Sequence, residues 1–197
     1  MFIIGVLKEP GYESRVSVTP ETAAALIKKG LKILVEQGAG VKAYAGDDQY
    51  VQAGAEIVSR AHLISNAQVI LSIHAPQEAE EGAFRSKALI GVYQPLFNRD
   101  KMESWAQQGV TSFSLDMLPR TTRAQSMDVL SSQANIAGYK AVLLAATEHA
   151  RYFPMFMTAA GSIAPAKVLI LGAGVAGLQA IATARRLGAV RSEEHTS

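Results

Sequence analysis

Three glycines and one polar loop are the residues in this chain whose types and spacing could do chemistry. Gly172, Gly174 and Gly177 stand at G-x-G-x-x-G spacing. An apolar run of strand type, Val168–Leu171, precedes them. Leu178, Ile181, Ala182 and Arg185 follow with polar and apolar positions at helical period. The pattern predicts strand, tight turn and helix. Gly172 permits the turn, Gly174 lets a pyrophosphate approach the backbone, and Gly177 lets the helix lie close on the strand. The free N–H groups and the positive dipole end of that helix then face phosphate. A flanking strand and helix make this far more specific than the three glycines alone. The alternative is a glycine-rich turn that binds nothing. The second candidate is Asp116–Ser132, DMLPRTTRAQSMDVLSS. It gathers two arginines, two carboxylates and several hydroxyls around Pro119. Arg120 could pair with Asp128, and Gln125 and Ser131 can each donate and accept hydrogen bonds. Such a group could orient a carboxamide. It could equally be a solvated loop with one ion pair and a helix N-cap at Asp128 or Ser131.

The elements that must hold these groups read as α/β. Phe2–Leu7 is a first buried strand. Thr19 caps a helix with Pro20 at its first position and Glu21 complementing the dipole, and Gly30 ends it. Leu31–Glu36 is a second strand. A helix opened by Asp47 or Asp48 ends near Gly54, and a further short helix covers Arg60–Asn66. Val69–Ile73, Ala88–Tyr93 and Val110–Phe113 make five strands in all, with a helix capped by Asn98 over Arg99–Gln108. Alternating apolar strands and capped helices imply a parallel sheet. A long helix from Gln133 to about Tyr152 and a connector over Phe153–Ala164 lead to the glycine turn. The expected organisation is therefore two Rossmann-like parallel-sheet domains. Residues 1–132 form a complete α/β domain, 133–164 connect, and 165–190 begin a dinucleotide-binding domain.

That second domain should continue with an apolar strand ending in Asp or Glu for the ribose hydroxyl. After Ala189 and Val190 the chain instead reads Arg191-Ser-Glu-Glu-His-Thr-Ser197. Glu193 and Glu194 have a tempting offset, but the segment lacks the apolar character of a buried parallel strand. Residues 191–197 are expected to be a foreign tail, and the chain an incomplete, N-terminal part of a longer protein that is inactive on its own. Val168–Leu171 is apolar enough to be buried on both faces once parallel neighbours flank it, and those neighbours are expected from sequence missing here, so the segment after Lys167 should be poorly anchored.

Composition narrows the classes. The 197 residues carry 19 Lys and Arg against 17 Asp and Glu, and 49% of the chain is apolar. The cations are scattered, which does not point to nucleic acid. The absence of cysteine excludes disulfides and thiolate chemistry. The opening Met-Phe-Ile-Ile-Gly has no basic n-region, which argues against a signal peptide. No uninterrupted run of about 18 apolar residues exists to span a membrane. No His/Asp/Glu spacing suggests a metal. His62 and His149 read as surface groups, His74 could face a cleft from a strand end, and Trp105, Tyr139 and Met155–Met157 read as packing residues.

Two long stretches carry a resemblance to a known family. PRTTRAQSMDVLSSQANIAGY (Pro119–Tyr139) and TAAGSIAPAKVLILGAGVAGLQAIATARRLGA (Thr158–Ala189) resemble the NAD(H)-binding domain of the alpha subunit of proton-translocating nicotinamide nucleotide transhydrogenase. The likeness runs from Gly5 to about Val190. KEPGYESRVSVTPE and VEQGAGVKAYAGDDQY fit too, but are shared with the related alanine dehydrogenases. The resemblance implies that Arg120, Gln125, Asp128 and Ser131 contact the nicotinamide, with Ser126 and Met127 beside them. It implies a nicotinamide-facing Arg15 and a pyrophosphate cradle of Gly172, Ala173, Gly174, Val175, Ala176 and Gly177. It further implies NAD(H) on this chain, NADP(H) on a partner domain, hydride transfer between them, a homodimer, and attachment through partners to the cytoplasmic side of the inner membrane. Alanine dehydrogenases use a Lys and a His as substrate-binding and acid/base groups. This chain has His74 and Gln94 at those places. Hydride exchange between two nicotinamides needs no such acid/base pair, whereas reductive amination does.

Overall fold

The computed structural model describes residues 2–77, 82–119, 121–190 and 192–195, and the chain divides into two compact units, Met1–Ala124 and Gln125–Ser197. In the first unit, strands β1 (Ile3–Val6), β2 (Lys32–Glu36), β3 (Glu56–Val58), β4 (Val69–Leu71), β5 (Ala88–Gly91) and β6 (Thr111–Ser114) form one sheet. Every pairing is parallel, and the strand order is β3-β2-β1-β4-β5-β6. Helices α1 (Pro20–Lys28), α2 (Asp47–Gln52), α3 (Arg60–Asn66) and α4 (Arg99–Gln107) connect the strands. Successive residues of each strand face opposite sides. Val6 and Val35 therefore enter one apolar cluster with Val18, Ala23 and Tyr50, while Leu7 and Leu34 enter another with Leu63, Ile70, Tyr93 and Trp105. Two buried faces explain why these strands read as unbroken apolar runs. The direction of strand addition reverses between β1 and β4, which opens a crevice at their carboxyl ends.

The sheet has six strands where the sequence suggests five. Glu56-Ile57-Val58 is a short edge strand with an exposed glutamate, too brief to show a period. Thr19 caps α1 as expected, accepting from the Thr22 amide at 3.4 Å. Two other caps differ. Gly46 occupies the N-cap of α2 without a side-chain bond, and Asp47 instead accepts from the Gly38 amide at 2.9 Å. Asn98 stands at the N-cap of α4, but its side chain donates to the carbonyls of Tyr93 and Gln94.

The second unit opens with helix α5 (Val129–Glu148), which begins a turn earlier and ends earlier than its periodicity indicates. Its early start follows from the Asp128 cap. His149 stands at the C-cap, its amide bonded to Ala145. The expected connector contains an antiparallel hairpin of β7 (Phe156–Thr158) and β8 (Gly161–Ile163). Strand β9 (Val168–Leu171) then leads into α6 (Val175–Arg186), and Val142, Phe153, Ala166, Ala180, Ala184 and Ala189 form the core.

One expectation fails in this unit, and two of its features add to the sequence reading. Residues 192–195 continue the sheet as β10 (Ser192–His195), parallel to β9 with Glu194 opposite Ile170. The open edge of β9 offers backbone donors and acceptors, and an extended chain can satisfy these without an apolar sequence. Strand β9 has one packed and one open face: Val168 and Ile170 pack on the core, while Leu169 and Leu171 are exposed. Of the presumed packing residues, Trp105 is buried, but Tyr139, Met155 and Met157 are exposed.

Candidate nucleotide site

The turn between β9 and α6 has the geometry that its glycines foretell. Gly172 has φ +97°, a conformation that side chains rarely adopt. A Cβ placed on Gly177 would stand 1.9 Å from the carbonyl oxygen of Gly172, so only glycine lets the helix close on the turn. Gly174 is different. Its φ of −71° suits any residue, and an added Cβ would meet nothing within 4 Å. The space over Gly174 is open. Gly174 is also the N-cap of α6, and no side chain caps that helix. The first hydrogen bond of the helix is from the Leu178 amide to the Gly174 carbonyl at 2.9 Å. The amides before it have no intrahelical acceptor and lie at the positive dipole end, which are the two requirements of an anion cradle. Ala173, Val175 and Ala176 supply the rest of this turn. The arrangement fits a dinucleotide pyrophosphate.

The polar loop enters α5 through a 3-10 turn, Thr122–Met127. Gln125, Ser126 and Met127 are exposed on it. The Gln125 carbonyl accepts from the Asp128 amide at 3.2 Å. Asp128 is the N-cap of α5. Its carboxylate accepts from the Ser131 amide at 2.9 Å and from the Ser131 hydroxyl at 2.7 Å. The structure thus brings Asp128 and Ser131 together, with Gln125 one turn away. Arg120, and with it the suggested ion pair to Asp128, lies outside the described residues.

A third cluster, in the first unit, joins Arg15 and His74 through residues of the KEPGYESRVS stretch whose contacts the sequence does not announce. Arg15, expected to face a nicotinamide, donates from Nε and Nη2 to Glu13 at 2.9 and 2.6 Å. His74 Nε2 lies 2.9 Å from Glu13 Oε2, the oxygen that also accepts from Arg15 Nη2, and Tyr12 meets the imidazole edge-on at 5.3 Å. The Arg15 guanidinium holds the Glu13 carboxyl far below the usual carboxylate range. Glu9 is buried and accepts from the amides of Ile73 and His74 at 2.6 and 3.1 Å, which ties the end of β1 to the end of β4. Burial pushes its carboxyl up. A cavity of about 320 Å³ lies here, lined by Lys8, Glu9, Glu36, Arg60 and His74 among others. The available signal is positional: Lys8–Arg15 follows β1 at the point where the strand order reverses. Gln94 is exposed, with φ +48°. Among the described residues, no group of His, Asp and Glu could hold a metal, and no helix is long and apolar enough to cross a membrane.

The chain is similar to known proteins over nearly its whole length. Residues 5–137 match the family model described as alanine dehydrogenase/PNT, N-terminal domain, and residues 141–192 match the corresponding C-terminal domain. The chain is 47% identical over 190 residues to an NAD(P) transhydrogenase alpha subunit from Rhodospirillum rubrum, covering 93% of this chain and 49% of that protein. A crystal structure of transhydrogenase from Sinorhizobium meliloti is 46% identical with a TM-score of 0.91, covering 95% of this chain and 57% of that one. An L-alanine dehydrogenase structure is more distant, at 27% identity and a TM-score of 0.82, covering 95% of this chain and 53% of its own. The chain thus spans about half the length of the curated relatives it matches. The fold, the glycine turn and these matches together show that the chain belongs to the alanine dehydrogenase/PNT family.

Proposed function

We propose that this chain is the NAD(H)-binding part of a proton-translocating transhydrogenase. In this reading, hydride passes from NADH held here to NADP⁺ held on a partner domain. The observation that supports it most is the open glycine turn in front of an uncapped helix, in a chain whose relatives are named as transhydrogenase subunits. Gly172 sets the turn. Gly174 leaves the approach to the backbone clear. The first amides of α6, at Val175, Ala176 and Gly177, receive the pyrophosphate charge.

When bound, NADH supplies the hydride; the protein binds, orients and excludes water. Arg120, Gln125, Asp128 and Ser131 would hold the carboxamide end, with Ser126 and Met127 beside them. The Asp128–Ser131 bond gives that end a fixed carboxylate and a fixed hydroxyl. Direct transfer needs the donor carbon and its acceptor close and aligned, so fixed geometry is the main contribution such residues can make. A transhydrogenase holds the second nucleotide elsewhere in its assembly. The partner domains, a homodimer and a place on the cytoplasmic side of the inner membrane belong to this proposal.

Equilibrium binding to the intact protein tests it. NADH should bind more tightly than NADPH. Tighter binding of NADPH would overturn the assignment.

A further inference from the structure

Gly138 is one of two buried residues in the 20-residue helix α5. A Cβ on it would stand 2.1 Å from the carbonyl oxygen of Ala176, 2.8 Å from its carbonyl carbon and 3.0 Å from its Cα. All three are backbone atoms, so no rotamer change makes room. Ala176 is the second residue of α6 and lies inside the glycine turn that faces the pyrophosphate. One turn away on each helix, Asn135 Nδ2 donates to Gln179 Oε1 at 3.1 Å, and Gln179 Nε2 donates to Thr183 Oγ1 at 3.2 Å. Residue 135 meets 179 and residue 138 meets 176, so at this junction the helices run in opposite directions.

The same helix begins at Asp128 and carries Ser131 in its first turn. A helix rises about 1.5 Å per residue, so the Asp128 cap lies roughly 15 Å from Gly138 along a stiff rod. We propose that Gly138 is a positioning residue: it seats α5 on the first turn of α6 and so fixes the Asp128–Ser131 end of α5 relative to the Gly172–Gly177 turn. The nicotinamide and pyrophosphate ends of one dinucleotide are thereby held in register by a single helix. This rests on the reading that the chain binds NAD(H).

The contact has a role beyond core packing. Val142 of α5 and Ala180 and Ala184 of α6 already supply apolar members of the core cluster. Alanine is also the better helix former, so a loss on Gly138→Ala cannot come from α5 itself. The added methyl must instead push back the turn around Ala176.

Gly138→Ala in the intact protein, with an NADP(H)-binding partner, is the test. Three quantities are read: affinity for ADP-ribose, which lacks the nicotinamide; the single-turnover hydride transfer rate at saturating NADH; and amide exchange along α5. The expected result is native protection over residues 141–148, ADP-ribose affinity lower by about tenfold, and a saturated transfer rate lower by at least about tenfold, since an ångström of misplacement costs on the order of 10²-fold. Wild-type affinity and rate in the variant would overturn the positioning role. Failure of the wild-type protein to bind ADP-ribose or NADH would instead overturn the nucleotide reading beneath it. Should Gly138→Ala not fold, Asn135→Ala leaves the backbone contact and removes only the side-chain tie. A saturated rate reduced by about threefold then supports the proposal, and an unchanged rate overturns it.

Discussion

The carboxylate of Asp128 accepts two hydrogen bonds from Ser131, one from its amide at 2.9 Å and one from its hydroxyl at 2.7 Å. The pair is therefore a helix cap and a candidate cofactor contact at once. The two roles separate by substitution. Asparagine caps a helix about as well as aspartate, so Asp128→Asn should leave stability within roughly 0.5 kcal/mol of wild type. Asp128→Ala should lose about 1 kcal/mol. Both should slow hydride transfer in the intact protein. Urea unfolding beside single-turnover rates checks this; normal turnover in Asp128→Asn would reduce the pair to a cap.

Gln125 isolates the functional side. It is exposed on the turn before the cap. Gln125→Asn should change stability by less than about 0.5 kcal/mol. It should slow hydride transfer far more than it weakens NADH binding, by up to about 10²-fold for an ångström of misplacement. Unchanged turnover would assign the loop to solvent.

The three motif glycines should fail differently. Gly174 has open space and an ordinary φ, so Gly174→Ala should fold normally and weaken NADH binding by crowding the pyrophosphate approach. Gly172→Ala strains a φ of +97° and should cost about 1–2 kcal/mol. Gly177→Ala should disturb the turn most, through its 1.9 Å overlap with the Gly172 carbonyl oxygen. Calorimetric titration and thermal melts on the three variants distinguish the cases. Normal NADH affinity in Gly174→Ala would remove that glycine from the site.

Glu13 carries a pH signature. Hydrogen bonding from Arg15 sets its folded-state carboxyl well below the ordinary value of 4.5. A depressed carboxyl contributes stability above the unfolded value and loses it as pH falls through the folded one. The stability difference between wild type and Glu13→Gln should therefore be constant from about pH 8 to pH 5 and shrink only in more acid solution. Urea unfolding across that range reads it. A difference that shrinks already above pH 5 would contradict a carboxyl held down by Arg15.

Much of the fold is written locally. Thr19-Pro20-Glu21 announces α1, and the apolar runs announce most of the strands, because capping and burial act within a few residues. The edge strand Glu56–Val58 escapes, since three residues hold no period. The glycine turn is legible because its backbone demands are local. The Glu13–His74 contact joins residues 61 apart, and only the sheet topology, which sets β1 beside β4, brings them together. Gly138 escapes for the same reason: its need for a bare Cα is imposed by Ala176, on another helix. The cap at Asp128 is legible as one of two options, and only the bond to Ser131 chooses between them.

Nucleotide chemistry without amino-acid chemistry gives this protein two opposed outcomes in solution. The intact protein, given NADH and an NADP⁺-binding partner, should transfer hydride between the nucleotides. Given L-alanine and NAD⁺, it should form no appreciable pyruvate: His74 meets Glu13 at 2.9 Å, and the family resemblance implies that His74 and Gln94 stand where alanine dehydrogenases carry their Lys and His. Robust pyruvate formation, with no transfer between nucleotides, would make the protein an amino-acid dehydrogenase instead.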